Sequence, residues 1–151
     1  MVVRHRRYGG TPQSVLAAYI VEHAPEWVEA WLAEVRAERT TPSYHAYGDS
    51  EELKRDTLAL YHYLALWLRT GEWDPRIDAH YQRIGRDRKA VGFALSEVIS
   101  AILLAKRHLW NGIIEGKQMS VALELQVSKS ISLFYDKAIY HTILGFEEVD
   151  A

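Results

Sequence analysis

The chain has 151 residues, which is most simply one domain and is long enough to bury a sizeable core. Apolar residues make up 48% and charged residues 25%, as in ordinary globular proteins, and the net charge of −2 argues against a dedicated nucleic-acid binder. The chain has no cysteine, which excludes disulfides and thiolate sites, and no apolar run reaches the roughly 18 residues needed for membrane insertion. Residues 1–10 lack the apolar core of a signal peptide, so we expect a cytoplasmic protein.

The amino-terminal part predicts a flexible leader over residues 1–11 and then one domain over residues 12–148. Thr11 is a suitable helix cap, and Pro12 suits the first helical position. A stripe at helical spacing follows, formed by Leu16, Ile20, His23, Trp27 and Trp31. Pro25 interrupts this stripe, so we expect a kink or a break there, with the second part running to about residue 39.

The middle of the chain predicts a loop and two further helices. Residues 40–48 are rich in Thr, Pro, Ser, Tyr and Gly, which is typical of a loop. Asp49 caps the next helix, which runs to about Thr70. Asp74 and the proline after it begin a shorter helix. Residues 85–92 are interpreted as a charged connector or a weak continuation of that helix.

Two long helical patterns dominate the carboxy-terminal third. The first, residues 93–110, is apolar on nearly every side, which is normal for a helix buried by its neighbours. The second runs from about residue 118 to residue 144 and carries two apolar stripes. One stripe suits the domain's own core and consists of Leu123, Val127, Ile131, Phe134 and Ala138.

The second stripe needs another partner, which we interpret as a second copy of the chain. The predicted homodimer interface consists of Val121, Leu125, Ile139, Ile143 and Phe146. Strand signals are almost absent. The sequence therefore predicts an all-α, single-domain helical bundle of five to six helices, with two long carboxy-terminal helices.

No phosphate loop, dinucleotide fingerprint, nucleophile elbow or paired-histidine metal motif occurs, so we expect no catalysis and no metal site. Several polar aromatic and imidazole groups nevertheless lie on apolar faces. They could be hydrogen-bonded core residues, or they could line an internal pocket for a small-molecule ligand. The candidate pocket residues are Tyr19, His23, Tyr61 and His141.

Several segments together resemble the RsbRD-type amino-terminal sensor domain, over about residues 15–148. They are EWVEAWL at 26–32, IGRDRKAVGFALSEV at 84–98, AKRHLW at 105–110, FYDKAIY at 134–140 and GFE at 145–147. The resemblance implies a non-catalytic, globin-like sensory input and dimerisation domain of a bacterial signalling protein. It also implies an output module, such as a STAS stressosome domain or a histidine kinase, that receives the signal through the last helix.

One alternative concerns haem. The segment HYQRIG at 80–85 resembles the proximal-histidine segment of haem-binding sensor globins, which implies a gas sensor with His80 as the iron ligand. The neighbours of His80 are polar or small, and a haem also needs a large apolar cavity. We therefore expect no cofactor and keep haem as the alternative.

Overall fold

The structure is a computed structural model that describes residues 10–117 and 119–148, and these residues form six helices and no strand. The predicted all-α, single-domain class is confirmed. The helices are α1 (Pro12–Val35), α2 (Pro42–His45), α3 (Ser50–Thr70), α4 (Pro75–Ala90), α5 (Leu95–Glu115) and α6 (Val121–Glu147). The predicted leader, residues 1–11, lies almost wholly outside the described residues, so its flexibility stays a prediction.

The helix starts follow from local chemistry. The Oγ1 of Thr11 accepts a hydrogen bond from the amide of Ser14 at 3.1 Å. The carboxylate of Asp49 caps α3 by accepting from the amide of Glu52 at 2.9 Å. Asp74 caps α4 in the same way, and each bond satisfies a backbone N–H that the first turn leaves without a partner.

The fold departs from the sequence expectations at two places, and at a third it agrees with one of two alternatives, the continuation of the helix beyond residue 85. Pro25 does not break α1, because it lies on an exposed face where water can satisfy the carbonyl that proline leaves unpaired. The predicted loop at 40–48 contains the one-turn helix α2. The charged segment that begins at residue 85 continues α4 as far as Ala90, because its inward side is buried against α6.

The helices pack around one continuous core. Helix α1 packs mainly against α3 and α5, whereas α4 packs mainly against α6. The predicted inner stripe of α6, from Leu123 to Ala138, is buried throughout, and the Phe134 side chain is 0% exposed. Trp27 and Trp31, from the predicted stripe of α1, join this core together with Ile102, and Trp67 packs at its edge.

Helix α5 is not covered on every side, which corrects the expectation of full burial. Leu103 is 46% exposed and Ile114 is 67% exposed. Both lie opposite the face that packs against α1 and α6, and no described element covers that side. The apolar pattern predicted a long helix, but it carries no information on how many neighbouring helices cover it.

Candidate functional site

A group of charges built around the buried Asp56 and Arg88, the polar cluster (Glu52, Asp56, Arg83 and Arg88), joins α3 to α4. Asp56 accepts hydrogen bonds from Arg83 Nη2 at 2.8 Å and from Arg88 Nη2 at 3.2 Å. The side chains of Asp56 and Arg88 are 5% and 3% exposed. Arg88 Nη1 lies 3.6 Å from a carboxylate oxygen of Glu52. Removing one member of such a group leaves a buried charge without a partner, so the cluster fixes how α4 lies on α3.

Aromatic rings enclose the Arg88 end of the polar cluster. The guanidinium carbon lies 5.8 Å from the ring centre of Tyr47 and 5.9 Å from that of Phe93. The Tyr47 hydroxyl donates to Glu52 at 2.7 Å, and this bond is the main cause that raises the pKa of Tyr47 to about 12. The ring contacts and the carboxylates together hold the guanidinium in one position.

A second buried carboxylate, Glu97, ties the α2 turn to the start of α5. It accepts hydrogen bonds from the amide of Ser43 at 2.6 Å, the hydroxyl of Ser43 at 2.7 Å and the amide of Ala94 at 2.9 Å. Burial alone would raise the pKa of Glu97, but the hydrogen bonds from Ser43 and Ala94 outweigh it, and the net effect is a lowered pKa.

A cavity of about 40 Å³ adjoins the polar cluster between α3, α4 and α5, and we call it the Arg88 cavity. Tyr44, Asp56, Tyr81 and Arg88 form its polar lining, and Trp31 belongs to its apolar walls. Sequence reasoning missed this site. One signal was present: Asp56 lies on the apolar face of α3, three residues after Leu53 and four before Leu60, where a charge needs a buried partner.

The structure brings three of the four predicted pocket residues together as packed rings. The ring centres of Tyr19 and His23 are 4.2 Å apart, and Trp27 lies 5.6 Å from Tyr61 and 6.1 Å from Tyr19. The hydroxyls of Tyr19 and Tyr61 donate to carbonyl oxygens of α5, those of Gly112 and Ala105. Their polar ends are therefore bonded to backbone within the core.

His141 does not join this ring group. It lies on the face of α6 that packs against α4, where its Nδ1 is 2.9 Å from Gln82 Nε2 and its Nε2 is 3.1 Å from Asp78 Oδ1. The structure therefore does not bring His141 together with Tyr19, His23 and Tyr61, and a ligand pocket at these residues stays a prediction. Stripe membership alone could not assign His141 to a neighbour, because that choice depends on which helix covers its side of α6.

Two glycines bring the backbones of α4 and α6 into direct contact beside His141. A Cβ atom on Gly85 would lie 2.7 Å from the amide nitrogen of Phe146, and one on Gly145 would lie 2.7 Å from the Cα of Gln82. Both are far inside ordinary van der Waals distance. Only residues without a side chain allow this approach, so the backbones of the two helices touch directly.

The predicted dimer stripe is divided between two environments. Val121 and Leu125 are 76% and 71% exposed. Ile139, Ile143 and Phe146 are only half-buried, because α4 covers this end of α6. The stripe is therefore not exposed to solvent along its whole length. Its exposed part begins just after the α5–α6 connection, and Ile114 lies just before that connection.

His80 is packed against aromatic rings, and the haem alternative stays a prediction. Its ring lies between those of Tyr63 and Tyr81, with ring centres 5.5 and 5.1 Å away, and its Nε2 is buried. Burial lowers the pKa of His80, which favours a neutral ring.

Within residues 10–117 and 119–148, no group of three or more His, Cys, Asp or Glu side chains is placed to hold a metal ion. No helix in this part of the chain is long and apolar enough to cross a membrane.

Comparison with known proteins gives one match. No curated protein and no solved structure shows significant similarity to the chain, so the globin-like relation stays a prediction. Residues 25–151, well over half of the chain, match the family described as the RsbT co-antagonist protein rsbRD N-terminal domain. The chain therefore belongs to the RsbRD amino-terminal domain family, as the segments at 26–32, 84–98 and 134–147 indicated.

Proposed function

We propose that the chain is a non-catalytic sensory input domain that works as a cytoplasmic homodimer and passes its signal through α6 to an output domain. The family description supports a sensory amino-terminal module of an RsbR-like signalling protein. A STAS domain or a histidine kinase suits the output role. Nothing in the proposal requires nucleic acid, a membrane or a cofactor.

The observation that carries the signalling part is the contact of α4 with α6 at Gly85 and Gly145. Signal transmission needs an element that two sites can both displace. Helix α4 holds Arg88 in the polar cluster and, one turn earlier, meets the backbone of α6. A displacement of α4 would therefore reach α6 without passing through flexible side chains.

A fusion protein tests this transmission. The chain is joined to the catalytic region of a histidine kinase, and autophosphorylation is measured for the wild type, Gly145→Ala and Gly48→Ala. A Cβ at Gly48 meets nothing within 4 Å, so this variant is the matched control. We expect a severalfold change in kinase activity for Gly145→Ala alone, in protein that circular dichroism shows to be folded. Equal activity in all three proteins would refute transmission through α4 and α6.

Dimerisation is supported by the exposed apolar side chains where α5 and α6 meet. Ile114, Val121 and Leu125 are each more than 60% exposed and are close in the chain. Such a patch is typical of an interface. Burying it against the same patch of a second copy would make a two-fold symmetric contact.

The dimer is tested by a charge at Leu125. Leu125→Glu should lower the mass measured by light scattering from that of a dimer to that of a monomer, because two copies would bury the carboxylates together. Val91→Glu is the control, since Val91 is 54% exposed but precedes α5, at the opposite end from Val121. A Leu125→Glu protein that keeps the dimer mass would show that this patch is not the interface.

A further inference from the structure

Four buried hydrogen-bonding atoms on α4 have no partner among the described residues: the Nε2 of His80, the hydroxyl of Tyr81, and the Nε and Nη1 of Arg88. Tyr81 and Arg88 are the two of these residues that border a common cavity. Tyr81 is 1% exposed and Arg88 is 3% exposed, so bulk water does not reach them. Buried polar groups in folded proteins are nearly always bonded. Both residues line the Arg88 cavity, which points to an acceptor atom bound inside it.

The size of the Arg88 cavity limits what it can hold. A single water needs roughly 10–15 Å³ of such space, and the cavity offers about 40 Å³. This corresponds to about three or four non-hydrogen atoms. The cavity therefore suits a very small organic molecule and not a cofactor.

The charges around the cavity favour a neutral molecule. The Nη atoms of Arg88 face the carboxylates of Asp56 and Glu52, and Arg83 supplies the second cation of the polar cluster. Arg83 also pairs with Asp87 at 2.9 Å, so two cations face three carboxylates, and an added negative charge would be uncompensated. Of the guanidinium nitrogens, Nη2 is hydrogen-bonded to Asp56 at 3.2 Å, and Nη1 faces the Glu52 carboxylate at 3.6 Å.

The cavity walls favour a molecule with one polar and one apolar end. Trp31 contributes only its ring surface, because its indole N–H donates to the carbonyl of Ala101 at 2.9 Å. Leu60, Ile84 and Ile102 add aliphatic surface. A carbonyl or hydroxyl oxygen could accept from Arg88 or Tyr81 while its alkyl groups contact these walls.

We propose that the Arg88 cavity binds a short neutral ketone, aldehyde or alcohol, with its oxygen bonded to Arg88 Nε and Tyr81. That such a molecule is the signal rests on the proposed sensory function, whereas its binding does not. Binding is measured on the chain without an output domain, so failure of the site and failure of signalling are distinguishable.

The test uses two probes of equal size, acetone and acetate, each with four non-hydrogen atoms. Binding is followed by the nuclear magnetic resonance signal of the Trp31 indole N–H. Ligands this small reach affinities of about the millimolar range. We expect a saturable shift with acetone and none with acetate. If acetone gives no saturable shift, the cavity holds only water and the proposal is refuted. A stronger response to acetate would refute the choice of a neutral ligand.

Two variants assign the site. Tyr81→Phe removes only the unpartnered hydroxyl and should weaken acetone binding by about tenfold. Tyr140→Phe is the matched control, because Tyr140 is 58% exposed on α6, and it should bind as the wild type does. Ala101→Val fills the cavity from α5 and should abolish the shift. Unchanged binding in both Tyr81→Phe and Ala101→Val would place acetone elsewhere and refute the assignment.

Discussion

Replacement of Gly145 by alanine tests whether α4 and α6 are held together through their backbones. The added Cβ would lie 2.7 Å from the Cα of Gln82 and closer still to the Gln82 carbonyl oxygen, whereas ordinary contacts are 3.4–4 Å. These are backbone atoms, which cannot rotate away as a side chain can. The two helices would therefore have to separate by on the order of 1 Å.

The expected loss of stability follows from two opposing terms. Overpacking of this kind costs about 1–3 kcal/mol, and the upper part of that range applies because a rigid helix must move. Alanine is favoured over glycine in a helix by about 1 kcal/mol. The net expectation is a loss of about 2 kcal/mol in the free energy of unfolding.

Urea denaturation followed by circular dichroism measures this loss, with all proteins at one concentration because a dimer is proposed. Gly48→Ala, in open space, should be neutral or slightly more stable than the wild type. Gly85→Ala should behave like Gly145→Ala, and the double variant should lose less than the sum of the two, since the first separation makes room for the second Cβ. A Gly145→Ala protein as stable as the wild type would refute the close backbone contact.

Three further predictions concern the core and its pH dependence. Phe134→Ala should cost about 3–5 kcal/mol in chemical denaturation, because the side chain is fully enclosed, and a loss below about 1 kcal/mol would contradict its placement. The pKa of Glu97 is lowered in the fold, so the stabilisation by its carboxylate is present above the ordinary value of 4.5 and is lost as the pH falls. Glu97→Gln should therefore be less stable than the wild type at pH 7 by about 2 kcal/mol, and its free energy of unfolding should fall less on acidification. Burial lowers the pKa of His80, so the unfolded chain binds a proton before the folded chain does as the pH falls below 6.5, and the free energy of unfolding decreases. This decrease should be smaller in His80→Gln when unfolding is measured between about pH 7 and 5.

The sequence predicted those parts of the fold that depend on residues close in the chain. The starts of α1, α3 and α4 each rest on a cap and, in two cases, a proline within three residues, and these lie where expected. The inner stripe of α6 was also correct, because helical periodicity alone determines which side chains share a face.

The candidate site could not be predicted because it depends on which helices meet. Asp56 and Arg88 are 32 residues apart, and nothing local indicates that they form an ion pair. The same limit applies to His141, whose partners Gln82 and Asp78 lie on α4, a helix that the sequence did not pair with α6. The exposed face of α5 was not predicted for a related reason. The sequence shows that a helix face is apolar, but it does not show whether a neighbouring helix covers that face.

The position of α4 explains how a molecule in so small a cavity could influence α6. Tyr81 and Arg88 lie two turns apart on α4 and both line the Arg88 cavity, and Gly85 between them meets the backbone of α6. A bound oxygen that draws Tyr81 or Arg88 toward it acts on the same stretch of helix that touches Thr142 and Phe146. A ligand shifts the equilibrium between two positions of α4 only by the difference between its affinities for them. A very small ligand gives only a small difference in binding free energy. The proposed transmission therefore needs a contact that loses little of the displacement, and at Gly85 and Gly145 no side chain lies between the two backbones.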